Sequence, residues 1–307
     1  MSPPSSPAMS PPPAPAPSFA VAFSALVAGA VAMGVSPVFV RFAEVGPFTS
    51  AFWRVALSLP FLYLWARLEA DRQKRCRGTA PKATPWTRAQ VLAGLFFTGD
   101  LIFWHLSILN TTIANATFLA TMAPVWVVLG SGLFIGEAVG RASLAGLALC
   151  LAGAGTLVGS SYSFAPDRLT GDLFGICTSL FFGLYFLAVR AARRTAPTGV
   201  IMFRSSIVTA LCLFGFAAVM EGSFLPETVA GLSALLALAL LAHVGGQGLL
   251  AYALGHLSAV FSSLVIFMEA MTAAIVGWIV LSEALGPLQI AGGAAIIAGI
   301  WVARPRD

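Results

Sequence analysis

Charge is what this sequence has least of. Asp, Glu, Lys and Arg make up 9% of its 307 residues, where a soluble domain carries roughly 25%. With 58% hydrophobic residues, the chain cannot cover itself with polar surface, and soluble monomers tolerate exposed apolar patches of only about 300–600 Å². A water-soluble fold is excluded, and lipid is the solvent that remains. Cysteine is scarce as well. Cys76, Cys150, Cys177 and Cys212 stand singly, without a CxxC spacing or a neighbouring histidine, so disulfide, zinc and redox chemistry have no pattern to rest on. No HExxH motif or metal-binding carboxylate cluster occurs, and no metal or other cofactor is expected. Residues 1–17, MSPPSSPAMSPPPAPAP, lack charged side chains. They read as a disordered or polyproline-like tail, since a signal peptide needs a basic start and a short apolar stretch.

What is there in quantity is long apolar sequence. Ten runs of roughly membrane-spanning length, which is about 20 residues for a helix, fall at 19–40, 48–66, 89–109, 113–135, 144–158, 171–189, 200–220, 229–254, 259–281 and 290–302. They are continuous, whereas barrel strands alternate apolar and polar residues over about 10 positions. Ten spans put both ends of the chain on one side. Thirteen of the 17 Lys and Arg then fall on that side, with seven of them between Arg67 and Arg88. Positive residues mark the cytoplasmic face, so both termini are expected in the cytoplasm. The basic loop is explained by topology and by anionic headgroups, and no nucleic-acid partner is expected.

The two halves repeat. At an offset of 146, Glu137-Ala138 falls on Glu283-Ala284 and Ala145-Gly146 on Ala291-Gly292. At 149, Gly34 falls on Gly183 and Arg41 on Arg190, and one residue further on Trp53-Arg54 faces Phe203-Arg204. A half with five spans is odd-numbered, so its copy enters the membrane from the other side. Such inverted repeats build a mid-membrane site that is opened alternately to the two faces. The expected fold is an all-α membrane protein of ten transmembrane helices, arranged as two inverted five-helix repeats (18–160 and 161–307) around a central cavity.

With Gly34 and Arg54, with Asn115-Ala116-Thr117-Phe118 running through Ala123-Pro124 to Gly136-Glu137, and with Ser262-Ser263, Glu269, Ser282-Glu283 and Gly292 in the second half, the chain resembles the EamA family of the drug/metabolite transporter superfamily. The resemblance implies export of small metabolites, with aromatic or hydrophobic amino acids favoured, and other metabolites, nucleosides or drugs as alternatives. Related small multidrug pumps use an acidic residue in their first helix. The first span here has none, which argues against proton antiport by that route.

Candidate transport residues follow from cost. An ionisable group at the centre of a span costs about 2.5–3.5 kcal/mol on insertion scales and so needs a partner, a wet cavity or a task. Asp100, His243 and Glu269 lie near the centres of the third, eighth and ninth spans. Asp100 and Trp104 share a helical face, His105 follows, and His243 shares a face with Gln247. Trp104, Trp126, Phe182 and Tyr185 offer aromatic walls for a bound solute; packing and lipid contact compete as readings. His105 and His243 could exchange protons or simply be neutral hydrogen-bonding groups. Arg54 and Arg204 sit at mirrored depths, as gates or as structural residues whose long side chains reach the headgroups. Glu137 and Glu283 precede the fifth and tenth spans, where a carboxylate favours the start of the following helix. Pro37, Pro60 and Pro124 interrupt helical hydrogen bonding. Pro124, Gly245 and Gly246 are hinge candidates, the last two within Gly245-Gly246-Gln247-Gly248.

A transporter with a small-molecule substrate and the bilayer as its partners, acting as a monomer, accounts for these features best. A membrane-embedded enzyme would need a nucleophile with its base, and Ser131 in Gly130-Ser131-Gly132 is a weak match. A scaffold or receptor lacks a soluble domain to pass on a signal. Phosphate-ester exchange would want several cavity cations, and only Arg54 and Arg204 are at hand.

Overall fold

The computed structural model describes residues 17–77, 85–158, 166–281 and 286–305. The proline-rich start, Lys82 and the pair Ser282-Glu283 lie outside them. Every described element is helical. The first half comprises α1 (Phe19–Gly34), α2 (Ser36–Arg41), α3 (Pro47–Ala56), α4 (Leu59–Arg77), α5 (Arg88–Asn110), α6 (Ile113–Ala120), α7 (Ala123–Gly130) with a π-helical turn at Ser131–Ile135, and α8 (Arg141–Val158). After a short 3₁₀ turn at Pro166–Arg168 come α9 (Leu169–Arg193), α10 (Thr198–Met220), and α11 (Val229–Ala237) with a π-helical stretch at Leu238–Gln247. The chain ends with α12 (Gly248–Ala253), α13 (Ala259–Val265), α14 (Phe267–Leu281) and α15 (Pro287–Ala303).

Each apolar run of the sequence is thus helical. Among the described residues seven helical runs are long and apolar enough to cross a membrane: Phe19–Arg41, Arg88–Asn110, Asn115–Ile135, Pro166–Arg193, Thr198–Met220, Val229–Ala253 and Ala259–Val276. Arg141–Leu157 and Pro287–Ala303 are shorter apolar helices. Their surface is apolar on the outside, with Leu133 81% and Val219 84% exposed, while Asp100, His105, Asn115, His243 and Gln247 are buried. That inversion is what a lipid solvent selects.

Several runs are broken, and proline sits just after the break in three of them. Pro37, Pro60 and Pro124 lack an N–H and crowd the carbonyl four residues back, so α1 gives way to α2 at Val35, α3 to α4 at Leu57-Ser58, and α6 to α7 at Thr121-Met122. The α13–α14 break at Ile266 has no proline.

Glycine sets how closely the helices pack. In the α8–α15 crossing a Cβ on Gly153 would stand 2.6 Å from the Gly292 carbonyl oxygen, and one on Gly146 would stand 2.6 Å from that of Gly299. Side chains there would force the backbones apart, as at other small-residue membrane crossings. α1 crosses the π-helical stretch through Gly29, whose Cβ would lie 2.9 Å from Gly246 O. α5 lies along α9, where Ser107 Oγ donates to Gly171 O at 2.8 Å and Phe103 stacks on Phe181 at 5.3 Å between centroids.

Carboxylates tie the helix ends. Glu221, at the end of α10, accepts the Phe48 and Thr49 N–H groups at 2.8 Å each at the start of α3. Glu69 in α4 accepts the Gly199 N–H at 2.7 Å at the start of α10. Each run therefore caps the beginning of the other, satisfying donors that a helix start leaves free. Glu137 corrects an expectation. Rather than serving the next helix, α8, its carboxylate takes the Ala259 N–H at 2.9 Å, at the start of α13, and pairs with Arg190 at 2.6 Å. Arg190 also donates to Leu254 O at 2.6 Å, and Arg194 to Ile135 O at 2.5 Å. One joint thereby fastens the end of α9 to the turns before α8 and α13.

Candidate functional site

Three of these helix breaks meet at a cavity of about 110 Å³. Both halves wall it: Met33, Gly34, Ser36 and Pro37 at the α1–α2 break, Thr117, Ala120 and Thr121 at the α6–α7 break, and Ile266, Glu269, Ala270 and Ala273 around the α13–α14 break. Arg54 enters from α3, Phe97, Asp100, Leu101 and Trp104 from α5, Phe182 from α9 and Gln247 from the π-helical stretch.

Its polar groups are the unusual part. Arg54 is only 8% exposed. Its Nε has no hydrogen-bond partner, and no carboxylate lies within 4.0 Å of it among the described residues. The guanidinium instead lies 5.9 Å from the Phe97 ring centre, a cation–π distance. Gln247 Oε1 and Glu269 Oε1 are likewise buried without a hydrogen-bond partner. Leaving a buried polar group unmatched costs about 1–3 kcal/mol, and most native structures avoid it. Here one cationic donor and two acceptors, together with Asp100, line a single space walled by Trp104, Phe97 and Phe182. That space can hold a solute with both polar and apolar parts.

Of the residues singled out from sequence, Asp100, Trp104, Phe182, Gln247, Glu269 and Arg54 line the cavity. Gly34 and Pro37 line it too, whereas His105, His243, Tyr185, Trp126, Arg204, Pro124, Gly245 and Gly246 are not part of its lining. His105 Nδ1 bonds Leu101 O at 2.6 Å within its own helix. His243 Nε2 meets Ser206 Oγ at 2.8 Å and its ring packs on Phe97. Tyr185 stacks on Phe182 and points its hydroxyl at the Met202 sulfur, 3.9 Å away. Trp126 donates through Nε1 to Ser179 Oγ at 2.9 Å. His243 and Tyr185 thus back the cavity residues Phe97 and Phe182. Arg204, the repeat partner of Arg54, bonds Pro85 O at 2.9 Å and Gln90 Oε1 at 3.1 Å and covers the Trp86 ring, so it braces the start of α5. Ser131 Oγ donates to Val128 O at 3.1 Å. Pro124 begins α7 just past the break. Gly245 lies within the π-helical stretch, and a Cβ on Gly246 would stand 2.5 Å from the Met33 side chain.

Sequence reasoning missed Met33, Ser36, Thr117, Thr121 and Phe97. For the first four the signal was present: each lies within four residues of a proline-induced break or beside one, where lost helical hydrogen bonds leave room for a site.

The pseudopaline exporter CntI of Pseudomonas aeruginosa, strains UCBPP-PA14 and PAO1, is 27% identical over 247 residues, which are 80% of this chain and 82% of that protein. A protein of known crystal structure superposes with a TM-score of 0.73 at 20% identity, over 92% of this chain and 95% of its own, so the two share a fold. The sequence profile of the EamA-like transporter family matches twice, at residues 20–159 and again at 169–304. With nearly all of the described chain matched, and the cavity enclosed by both matching segments, this chain belongs to the EamA-like transporter family and is an all-helical membrane transporter.

Proposed function

We propose that the chain exports small amino-acid-type solutes across the bacterial inner membrane by alternating access, through ten membrane-crossing runs in two inverted five-helix repeats with both termini cytoplasmic. The observation that carries this reading is the set of unmatched groups in the cavity. Arg54 suits a solute carboxylate, Asp100 and Glu269 suit an ammonium group, and Trp104, Phe97 and Phe182 suit an apolar side chain. The export direction is supported by the exporter function of the relative at 27% identity.

The inverted arrangement is supported by contacts that repeat across the halves. A Cβ on Gly34 would meet Glu269 O at 2.8 Å and the Thr272 side chain at 2.7 Å; one on Gly183 would meet Ala123 O at 3.0 Å and the Trp126 side chain at 2.8 Å. The sequence offsets carry one set onto the other. The crossing of Gly146 with Gly299 and Gly153 with Gly292 likewise exchanges with itself, and it requires α8 and α15 to run in opposite directions. A related pair of helices running oppositely is what an inverted repeat produces.

Purified protein in proteoliposomes should accumulate or release at least one amino acid from a panel that includes nucleosides and cationic drugs. Arg54→Gln and Glu269→Gln should each weaken solute affinity about 10- to 100-fold, the worth of a hydrogen bond to a charged group. Arg204→Gln should keep its flux. A protein that moves none of the panel but hydrolyses a member of it would overturn the transporter reading of this cavity.

A further inference from the structure

Two carboxyl groups and one guanidinium face the same small space. Asp100 on α5, Glu269 on α14 and Arg54 on α3 all line the cavity. The ionisable groups around them are few. Tyr185 on α9 holds its hydroxyl toward Met202. His105 on α5 engages Leu101 O and His243 engages Ser206 Oγ; a proton on either imidazole would set a second cation near the guanidinium with no carboxylate within 4.0 Å of it among the described residues, Glu221 acting on His105 only from farther off. α1, α2, α6 and α7 add no ionisable side chain to the cavity wall.

An unbalanced charge in a medium of low dielectric costs several kcal/mol even after relaxation. Two carboxylates in one site resist ionising together. One guanidinium balances one carboxylate, so the neutral form of the unloaded cavity has a single proton on the Asp100–Glu269 pair. A zwitterionic solute adds no net charge and leaves that proton in place. A solute with one net positive charge leaves the cavity neutral only when the proton departs.

We infer that this cavity trades one proton for one net positive charge on its solute, so that cationic amino-acid-type solutes pass in electroneutral proton exchange and zwitterionic ones pass uncoupled. The inference rests on the solute-cavity reading above and adds to it the charge class and the coupling. The balance closes: the solute cation enters as the carboxyl O–H bond breaks, the proton leaves to water on the side to which the cavity is open, and the reverse occurs on the other side. This route uses acids of the third and ninth runs and needs none in the first.

Two measurements test it. In lipid nanodiscs without solute, infrared difference spectra at neutral pH should show one protonated carboxyl in the wild type that both Asp100→Asn and Glu269→Gln remove, because Arg54 then balances the remaining carboxylate. Arg54→Gln should show two. A wild type without this band, or single variants that both retain it, overturns the charge count.

The second measurement uses L-lysine and L-norleucine, which differ by the terminal ammonium, in proteoliposomes containing a pH-sensitive dye. Lysine flux should drive protons the opposite way one for one, and a one-unit pH gradient should sustain about a tenfold lysine gradient, independent of membrane potential. Norleucine flux should move no protons. Lysine flux without proton movement, or norleucine flux with it, overturns the exchange. If neither amino acid moves while the infrared count is as expected, the amino-acid reading fails and the charge count stands.

Discussion

The joint at Glu137 gives a stability prediction that the structure makes quantitative. Glu137→Gln removes the 2.6 Å ion pair with Arg190 but keeps an amide oxygen to accept the Ala259 N–H, now at 2.9 Å from Oε2. A hydrogen bond to a charged group is worth about 1.5–3 kcal/mol. The two side chains are 15% and 21% exposed, which places the loss near the lower end, about 1.5 kcal/mol. Thermal unfolding in nanodiscs should register a fall in Tm of about 3 °C. Arg190→Gln should cost more, because it also releases Leu254 O. The double variant should be less destabilised than the two single losses together, by about 1–1.5 kcal/mol, since a contacting pair is coupled. Fully additive losses would refute the claim that the two side chains act as one joint.

Two further outcomes follow from the packing. Gly246→Ala pushes directly on Met33, a cavity residue, whereas a Cβ on Gly245 would meet only Leu240 O at 3.3 Å. Solute flux should therefore fall several-fold in Gly246→Ala and less in Gly245→Ala, with both proteins still inserted in the membrane; equal flux in the two would remove Gly246 as the sensitive position. Glu69→Ala and Glu221→Ala each lose a helix cap, at a cost of about 1 kcal/mol, and because the caps sit at opposite ends of the paired helices the costs should add in thermal unfolding.

The helical runs were legible because hydropathy alone marks them, and three of the breaks because proline announces them. The cavity lining was legible where the helix is regular. Asp100 and Trp104 are four apart and share the cavity face; Leu101, one residue on, also reaches the cavity, whereas His105, four beyond Leu101, engages the Leu101 carbonyl of its own helix. The same spacing misled at His243 and Gln247. They sit four apart in a π-helical stretch, yet only Gln247 lines the cavity, because His243 is taken up by Ser206 Oγ and the Phe97 ring. Arg54 and Arg204 match in sequence, yet one is buried at the cavity and the other is held by Pro85 O, Gln90 and Trp86. Nothing in the repeat pattern distinguishes them, because the difference lies in neighbours contributed from elsewhere in the chain.

The exchanged caps of the second and seventh runs bear on motion. Sliding α10 along α3 and α4 by a single turn, about 5.4 Å, would unseat Glu221 from Phe48 and Thr49 and Glu69 from Gly199 in the same stroke. Two anchors at opposite ends make the pair a strut of fixed length and register. The α3–α4 break at Leu57-Ser58 lies between the two anchors, so any bending there must keep both caps seated.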